Sequence, residues 1–337
     1  MSSGMAVNLA AQGDLFYCDI LGAAPKDDLA SMEHPMFSLA TRPDLSLRRY
    51  AHNGVSVTIT PSVRGRATIH DKDILIYCIS QLVAALNAGR AVSRTLRLTA
   101  HDLLVATGRD TGGDAYARLI DAFERLSGTR ITTNLAQGGQ EITAGFGLIE
   151  AWQVIRKTRG GRMVSVSVTL SEWLFRAALS RAVLTLSRDY FGLRKPLERR
   201  IYELARKHCG RQAEWRIGLA LLQQKAGSDA PLRVFRAAVR RIIADGRLPE
   251  YDLALGADDI LTVTRQRLTE AEGSASGATG PLFGAATLDA VRALAPGWDA
   301  YALEAEWRGF WIATGRPALR APERAYLAWV RGRVARG

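Results

Sequence analysis

The sequence predicts an α+β fold made of two tandem winged-helix (helix-turn-helix) domains with β-hairpin wings, followed by a small C-terminal helical tail. The order helix, strand, helix, helix, β-hairpin occurs twice along the chain, as in winged-helix domains. The helix predicted over residues 232–245 is apolar on one side and cationic on another. The chain has 337 residues, 47% of them hydrophobic, and no apolar run of membrane-spanning length. We therefore expect soluble domains and no membrane association.

The domain boundaries are predicted from changes in patterning. We expect an N-terminal arm over residues 1–50, a first winged-helix domain over 51–183, a second over 184–268, a flexible linker over 269–284 and a helical region over 285–337. The linker prediction follows from its richness in Ala, Gly, Ser and Glu. No sequence period relates the two winged-helix domains, so the repetition is one of architecture.

The first winged-helix domain begins with an alternating strand, Val55–Ile59, and its broadly apolar central helix ends at Gly89. Thr99 has the position of an N-cap, with Asp102 three residues later. The remaining elements are helices at 71–86, after Thr99 and at 114–126, strands at 95–98, from 131, at 146–155 and at 163–170, and a connecting helix capped by Ser171.

The second winged-helix domain repeats this order. Pro196 suits the first turn of its first helix, and Gly227 ends its second helix. The predicted elements are helices at 196–208, 218–225 and 232–245, followed by wing strands at 251–255 and 260–264.

The C-terminal region is predicted to form two or three short helices at 288–294, 298–313 and 322–334. Its tryptophans and tyrosines recur at helical spacing. We interpret them as the core of this region, because Trp at such spacing usually packs; a platform that stacks on bases is the alternative.

Positive charge is concentrated between residues 195 and 245. Twelve Lys or Arg and five acids give this segment a net charge of +7, out of +12 for the whole chain. A surface that faces phosphates needs such a concentration, because each neutralised phosphate releases counterions. A solvated basic face without a partner is the alternative.

The candidate DNA contacts fall into three groups. On the 232–245 helix, we expect Arg233, Arg236 and Arg240 to read guanine edges in the major groove, with Arg241 on their flank. We expect phosphates to be held by Arg199, Arg200, Arg206, Lys207, Arg265 and Arg267. The third helix of the first domain is nearly neutral and contributes Arg118 and Arg125.

No catalytic or cofactor site is expected. The five histidines, at 34, 52, 70, 101 and 208, are too far apart for the paired metal ligands of a nicking initiator, and no phosphate-binding P-loop motif occurs. The three cysteines suggest neither a disulfide framework nor a metal site, and the first residues do not resemble an export signal. We therefore predict a cytoplasmic protein that is not an enzyme and binds no cofactor or metal.

Several motifs resemble the replication initiator protein A family of bacterial plasmids. The similar segments are collinear between about residues 30 and 265: Ile69–Tyr77, Ala115–Leu119, Glu124–Asn134, Phe146–Glu150, Val168–Leu174 and above all Tyr190–Gln212. The tail from residue 285 also resembles an extension seen on such initiators.

The resemblance implies an initiator that binds repeated double-stranded sites at a plasmid origin and promotes melting and loading of the host initiator and replicative helicase. It also implies that the first winged-helix domain is the contact of a possible homodimer and the second the stronger reader of bases. The alternatives are a transcriptional repressor or autoregulator without an initiation role, and a nicking or primer-making enzyme.

Overall fold

A computed structural model describes residues 15–20, 22–52, 54–134, 136–137, 140–141, 143–156, 163–210, 212–266, 283, 285–295, 298, 300–314 and 321–335. The chain divides into two compact units, residues 1–265 and 266–337. Both predicted winged-helix domains therefore lie within one unit. Nearly all of the predicted linker, and Arg267, lie outside the described residues.

The N-terminal segment, expected as a weakly patterned arm, contains regular elements. They are β1 (Phe16–Tyr17), β2 (Lys26–Asp28), α1 (Leu29–Glu33) and β3 (Arg48–His52). β1 pairs with a strand that begins at Thr95, and β2 pairs with one that begins at Val183. These elements are too short to show a period, and their partners are distant in sequence, so local pattern could not indicate them.

The first half of the large unit is built on a buried central helix. Its elements are β4 (Val55–Thr60), α2 (Lys72–Asn87), β5 (Thr95–Leu98), α3 (Ala100–Ala106), α4 (Gly113–Gly128), β6 (Arg130–Thr133), β7 (Ala136–Gln137), β8 (Gln140–Glu141), β9 (Ala144–Gly147), β10 (Ile149–Arg156), β11 (Met163–Leu170), α5 (Glu172–Leu179) and β12 (Val183–Thr185). The larger sheets have the strand orders β1-β5-β11-β10 and β3-β4-β6-β9. The Thr99 hydroxyl accepts a hydrogen bond from the Asp102 N–H, so the predicted cap is confirmed.

The second half contains six regular elements after a 3-10 turn at Arg188–Gly192. They are α6 (Pro196–His208), β13 (Glu214–Gly218), α7 (Leu219–Ala226), α8 (Leu232–Asp245), β14 (Tyr251–Leu255) and β15 (Ile260–Arg265). Their sheet has the order β13-β15-β14. β13 was not predicted.

The two halves share one topology. The order α2, β5, α3, α4, β10, β11 corresponds to α6, β13, α7, α8, β14, β15, and in each half the last strand lies between the other two. The first half adds the β3-β4-β6-β9 sheet. Each half has its own hydrophobic core, and Met32 of α1 and Ile76 of α2 belong to the core of the second half.

The C-terminal unit consists of α9 (Ala285–Leu294), α10 (Ala300–Ala313) and α11 (Pro322–Ala335). Trp307 and Tyr326 are buried in its core, and the Phe283 ring stacks on Tyr326 at a centroid distance of 4.4 Å. The prediction that these aromatic residues form a core is confirmed for this pair.

Candidate nucleic-acid interface

The helix α8 presents a cationic surface on a rigid support. The helix begins directly after Pro231, which has no backbone N–H for a helical hydrogen bond. Its C-cap is Gly246, which has a left-handed φ of 57°. On one side of α8, the side chains of Phe235, Val239 and Ile242 are buried. The opposite side consists of exposed residues that we call the arginine face: Arg233, Ala237, Arg240, Arg241 and Ala244.

The arginine face has the shape and charge that a DNA groove requires. Arg233, Arg240 and Arg241 have no ion-pair partner within the described part of the chain. Ala237 and Ala244 lie on the same side of the helix as these arginines. Because their side chains are small, the helix backbone can come close to the edges of base pairs. The helix has 14 residues and is about 21 Å long.

Arg236, the third predicted guanine reader, lies at the edge of this face and is paired within the chain. Its Nε donates to Oδ1 of Asp259 at 2.7 Å, and a second guanidinium N–H donates to Oδ2. The hydrogen bond from Arg236 lowers the pKa of the Asp259 carboxyl. Asp259 is in the turn between β14 and β15, so Arg236 connects α8 to its hairpin.

The tip of the hairpin is acidic, not basic. The turn contains Asp258 and Asp259, both before β15. The expected phosphate contact Arg265 is at the far end of β15, partly exposed and opposite Tyr251. Arg265 therefore does not lie at the tip of the hairpin, and Arg267 is outside the described residues.

The expectation that Arg199 holds phosphate is wrong in this structure. Its side chain is 3% exposed. Nε donates to the Leu193 carbonyl at 2.8 Å, and another N–H donates to the Asp73 carboxylate on α2. The guanidinium group therefore joins the two halves of the unit.

Arg200 is also buried, so the expectation that it holds phosphate is wrong as well. Its guanidinium donates to the Ser31 and Met32 carbonyls at 2.9 and 3.1 Å, to the Lys225 carbonyl at 2.8 Å and to Glu203 at 3.0 Å. These carbonyls belong to the ends of α1 and α7, where backbone oxygens lack partners within their helices.

Arg206 and Lys207 complete the correction for α6. Arg206 is buried, and its Nε donates to the Thr185 carbonyl at 2.6 Å. Lys207 Nζ is 2.9 Å from the Leu29 carbonyl and 3.1 Å from the Glu33 carboxylate. The helical period correctly separates the cations of α6 from its apolar side, but α1, α2 and residues 185–193 cover the cationic side.

A buried ion cluster lies where α6 packs against the N-terminal segment and α2. Nζ of Lys72 is 2.6 Å from Asp27 and 3.0 Å from Glu203, and the Tyr190 hydroxyl donates to Glu203 at 2.8 Å. Burial alone would lower the pKa of Lys72, but the two carboxylates outweigh it and raise that pKa. The N-terminal segment, α2 and α6 are thus held by one network.

The corresponding helix of the first half, α4, has a weaker cationic surface. Arg125 donates from Nε and a terminal nitrogen to both oxygens of Asp71, at 2.7 and 2.8 Å. Arg118 is exposed and has no ion-pair partner among the residues described. Of the two candidates that sequence analysis placed on α4, only Arg118 is unpaired.

The described ranges contain neither a candidate metal site nor a candidate membrane span. Within them, no three His, Cys, Asp or Glu side chains are grouped closely enough to hold a metal ion. The helices there are too short or too polar to cross a bilayer.

The amino-acid sequence is similar to those of replication proteins. The family model for replication initiator protein A matches residues 26–253. A putative replication protein of Wigglesworthia glossinidia brevipalpis is 35% identical over 252 residues, which cover 74% of this chain and 91% of that protein.

The fold is similar to a crystal structure of selenomethionine derivatives of domains 2 and 3 of RctB. The TM-score is 0.54 at 14% identity, over 71% of this chain and 96% of that one. A second structure of RctB domains 2–3 matches at a TM-score of 0.49 and 15% identity, over 69% and 95%.

Proposed function

The chain belongs to the replication initiator protein A family, and from this premise we propose that it initiates plasmid replication by binding repeated duplex sites at the origin through winged-helix domains. The arginine face of α8 is the observation that carries the proposal. It combines unpaired cations, small residues between them and a buried opposite side on one helix.

The common topology of the two halves supports the winged-helix interpretation. In each half, the last helix before the hairpin, α4 or α8, has the position of a recognition helix. An α-helix fits the major groove, where an arginine pairs with guanine O6 and N7 and discriminates by about 1–3 kcal/mol. Arg233 and Arg240 are the proposed readers, and Arg241 contacts the adjacent phosphate.

The further steps of initiation belong to the same proposal. Binding at clustered repeats strains and melts the neighbouring duplex, and the host initiator and replicative helicase are then loaded there. The first half provides the contact of a homodimer, since its recognition helix α4 carries fewer unpaired cations than α8. The protein acts in the cytoplasm and needs no cofactor of its own.

The test is replication in trans. Footprinting on DNA upstream of the gene first locates the repeats. A plasmid that carries only these repeats and a selectable marker is then supplied with the protein, with the Arg233→Ala/Arg240→Ala variant, or with Arg176→Ala as a control on α5. We expect replication with the wild type and the control and none with the double variant.

Two other outcomes contradict the proposal. Repression of a promoter next to the repeats without plasmid replication would identify a repressor. A nick, a covalent adduct or a new primer on supercoiled origin DNA incubated with nucleotides would identify an enzyme.

A further inference from the structure

A recess of about 550 Å³ lies beside α4 in the first half of the large unit. It is bounded by the segment 40–43, the start of α2, residues 109–110, the first turns of α4, and Arg194 just before α6. Segments distant in sequence thus enclose a concave space. It differs in shape from the convex arginine face of α8.

Three cations at this recess have no partner. Arg42, Arg118 and Arg194 are exposed and form no ion pair with any residue the structure describes. Each comes from a different segment, so their common position is a property of the tertiary fold. Guanidinium groups bind phosphate oxygens with paired hydrogen bonds, which makes such a group of arginines suitable for a polyphosphate.

Most of the other charged groups in the lining already form hydrogen bonds or ion pairs within the protein. Arg109 donates to Asp73 at 3.0 Å, and Arg125 is held by Asp71. Asp110 accepts the Gly112 N–H at 3.2 Å.

Asp121 also lines the recess. Burial lowers the pKa of His70, another lining residue, to about 4, so its imidazole is neutral at pH 7. With five arginines against three aspartates, the lining keeps a positive charge.

Part of the lining is apolar. It is formed by Ala40, Pro43, Leu104 and Ala115. The volume falls within the range of about 300–1,000 Å³ typical of small-molecule sites. A single phosphodiester of a duplex would occupy only the mouth of such a recess and leave its apolar part empty.

We propose that this recess binds a nucleoside di- or triphosphate, with Arg42, Arg118 and Arg194 on the phosphates and the apolar wall against the base. The site uses none of the residues of the arginine face. It is therefore independent of the proposed DNA contact by α8.

The test is calorimetric titration of the full chain with ATP, ADP and inorganic phosphate. We expect saturable binding of one nucleotide per chain, weakened about tenfold or more by each of Arg42→Ala, Arg118→Ala and Arg194→Ala. Arg176→Ala, on α5, serves as the matched control and leaves the affinity unchanged. All four side chains are exposed, so the variants are expected to fold.

Absence of saturable binding at millimolar nucleotide, or wild-type affinity in the three variants, overturns the proposal. A second arm measures binding to a duplex of random sequence. If neither nucleotide binds and the same variants lose duplex affinity, the recess holds a DNA phosphate. The Arg233→Ala/Arg240→Ala variant is expected to lose duplex affinity and keep nucleotide binding, so each proposal fails independently of the other.

Discussion

Individual arginines of this chain have opposite roles that their sequence context does not reveal. Arg199 and Arg233 each lie on the cationic side of an amphipathic helix, yet Arg199 is buried against Asp73 and Arg233 is exposed. A helical wheel shows which residues share a side. It does not show whether another segment covers that side, so the sequence could not separate the exposed arginines of α8 from the buried arginines of α6.

Replacing Arg199 is expected to destabilise the large unit strongly. Arg199→Ala leaves the Asp73 carboxylate buried with one cation fewer, a loss that typically costs about 3–5 kcal/mol. The matched change Arg233→Ala, on the exposed side of α8, is expected to alter the free energy of unfolding by less than about 0.5 kcal/mol. Urea denaturation of both variants measures the difference; equal stabilities would contradict the structural role of Arg199.

The pairing of Arg236 with Asp259 also predicts its part in DNA binding. Arg236→Ala is expected to weaken binding to the cognate repeat less than Arg240→Ala, because Arg236 is hydrogen-bonded to the hairpin turn, whereas Arg240 is exposed and forms no ion pair with a described residue. Asp259→Ala removes an acid near the arginine face and is expected to tighten binding to any duplex. Electrophoretic mobility shifts with cognate and scrambled duplexes measure both effects. A larger loss from Arg236→Ala would assign it to a base after all.

At the scale of elements, long patterned helices and several alternating strands were predictable, whereas β13 was not. The bounds of α6 and α8 follow directly from helical period, Pro196 and the terminal glycine. β13, Glu-Trp-Arg-Ile-Gly, runs directly into α7, so no turn separates its alternation from the helix that follows. The recess beside α4 depends on segments far apart in sequence, and nothing in the local pattern indicates it.

The helix ends provide a matched pair of glycine substitutions. Gly227 and Gly246 both have positive φ, at 77° and 57°, but a Cβ at Gly227 would lie 2.6 Å from Cβ of Pro35, whereas one at Gly246 meets nothing within 4 Å. Gly246→Ala therefore costs only the left-handed backbone strain, about 1–2 kcal/mol. Gly227→Ala adds steric overlap of about 1–3 kcal/mol. Thermal denaturation ranks the two, and a lower stability for Gly246→Ala would refute this packing.

At the scale of the whole molecule, burial of histidines couples stability to pH. Burial lowers the pKa of both His34 and His70 to about 4, from an ordinary value of 6.5. The fold favours the neutral imidazoles, so their contribution is complete above pH 6.5 and is lost as the pH falls towards 4. Glu33 and Asp44 have lowered pKa values and stay ionised at pH 5.

Burial raises the pKa of the Asp27 carboxyl to about 8, so this group acts in the opposite direction over the same interval. We therefore expect the contribution of the two histidines to the Tm of the large unit, and not necessarily the Tm itself, to fall between pH 7 and pH 5. The double variant His34→Gln/His70→Gln is expected to show a smaller fall over the same interval. Calorimetric scans at both pH values test this, and an equal change of Tm in the wild type and the double variant would contradict it.

The distribution of charge over the molecule is expected to determine both the affinity for DNA and the discrimination between sequences. The net charge of +12 attracts any duplex, whereas the arginine face is expected to distinguish one sequence from another. The most direct measurement is the ratio of affinities for the cognate repeat and a scrambled duplex, at several salt concentrations, for the wild type, Arg233→Ala/Arg240→Ala and the control Arg176→Ala. If α8 reads bases, the double variant lowers this ratio by about tenfold or more and the control preserves it. An unchanged ratio in the double variant, with both affinities reduced equally, would contradict base reading by α8.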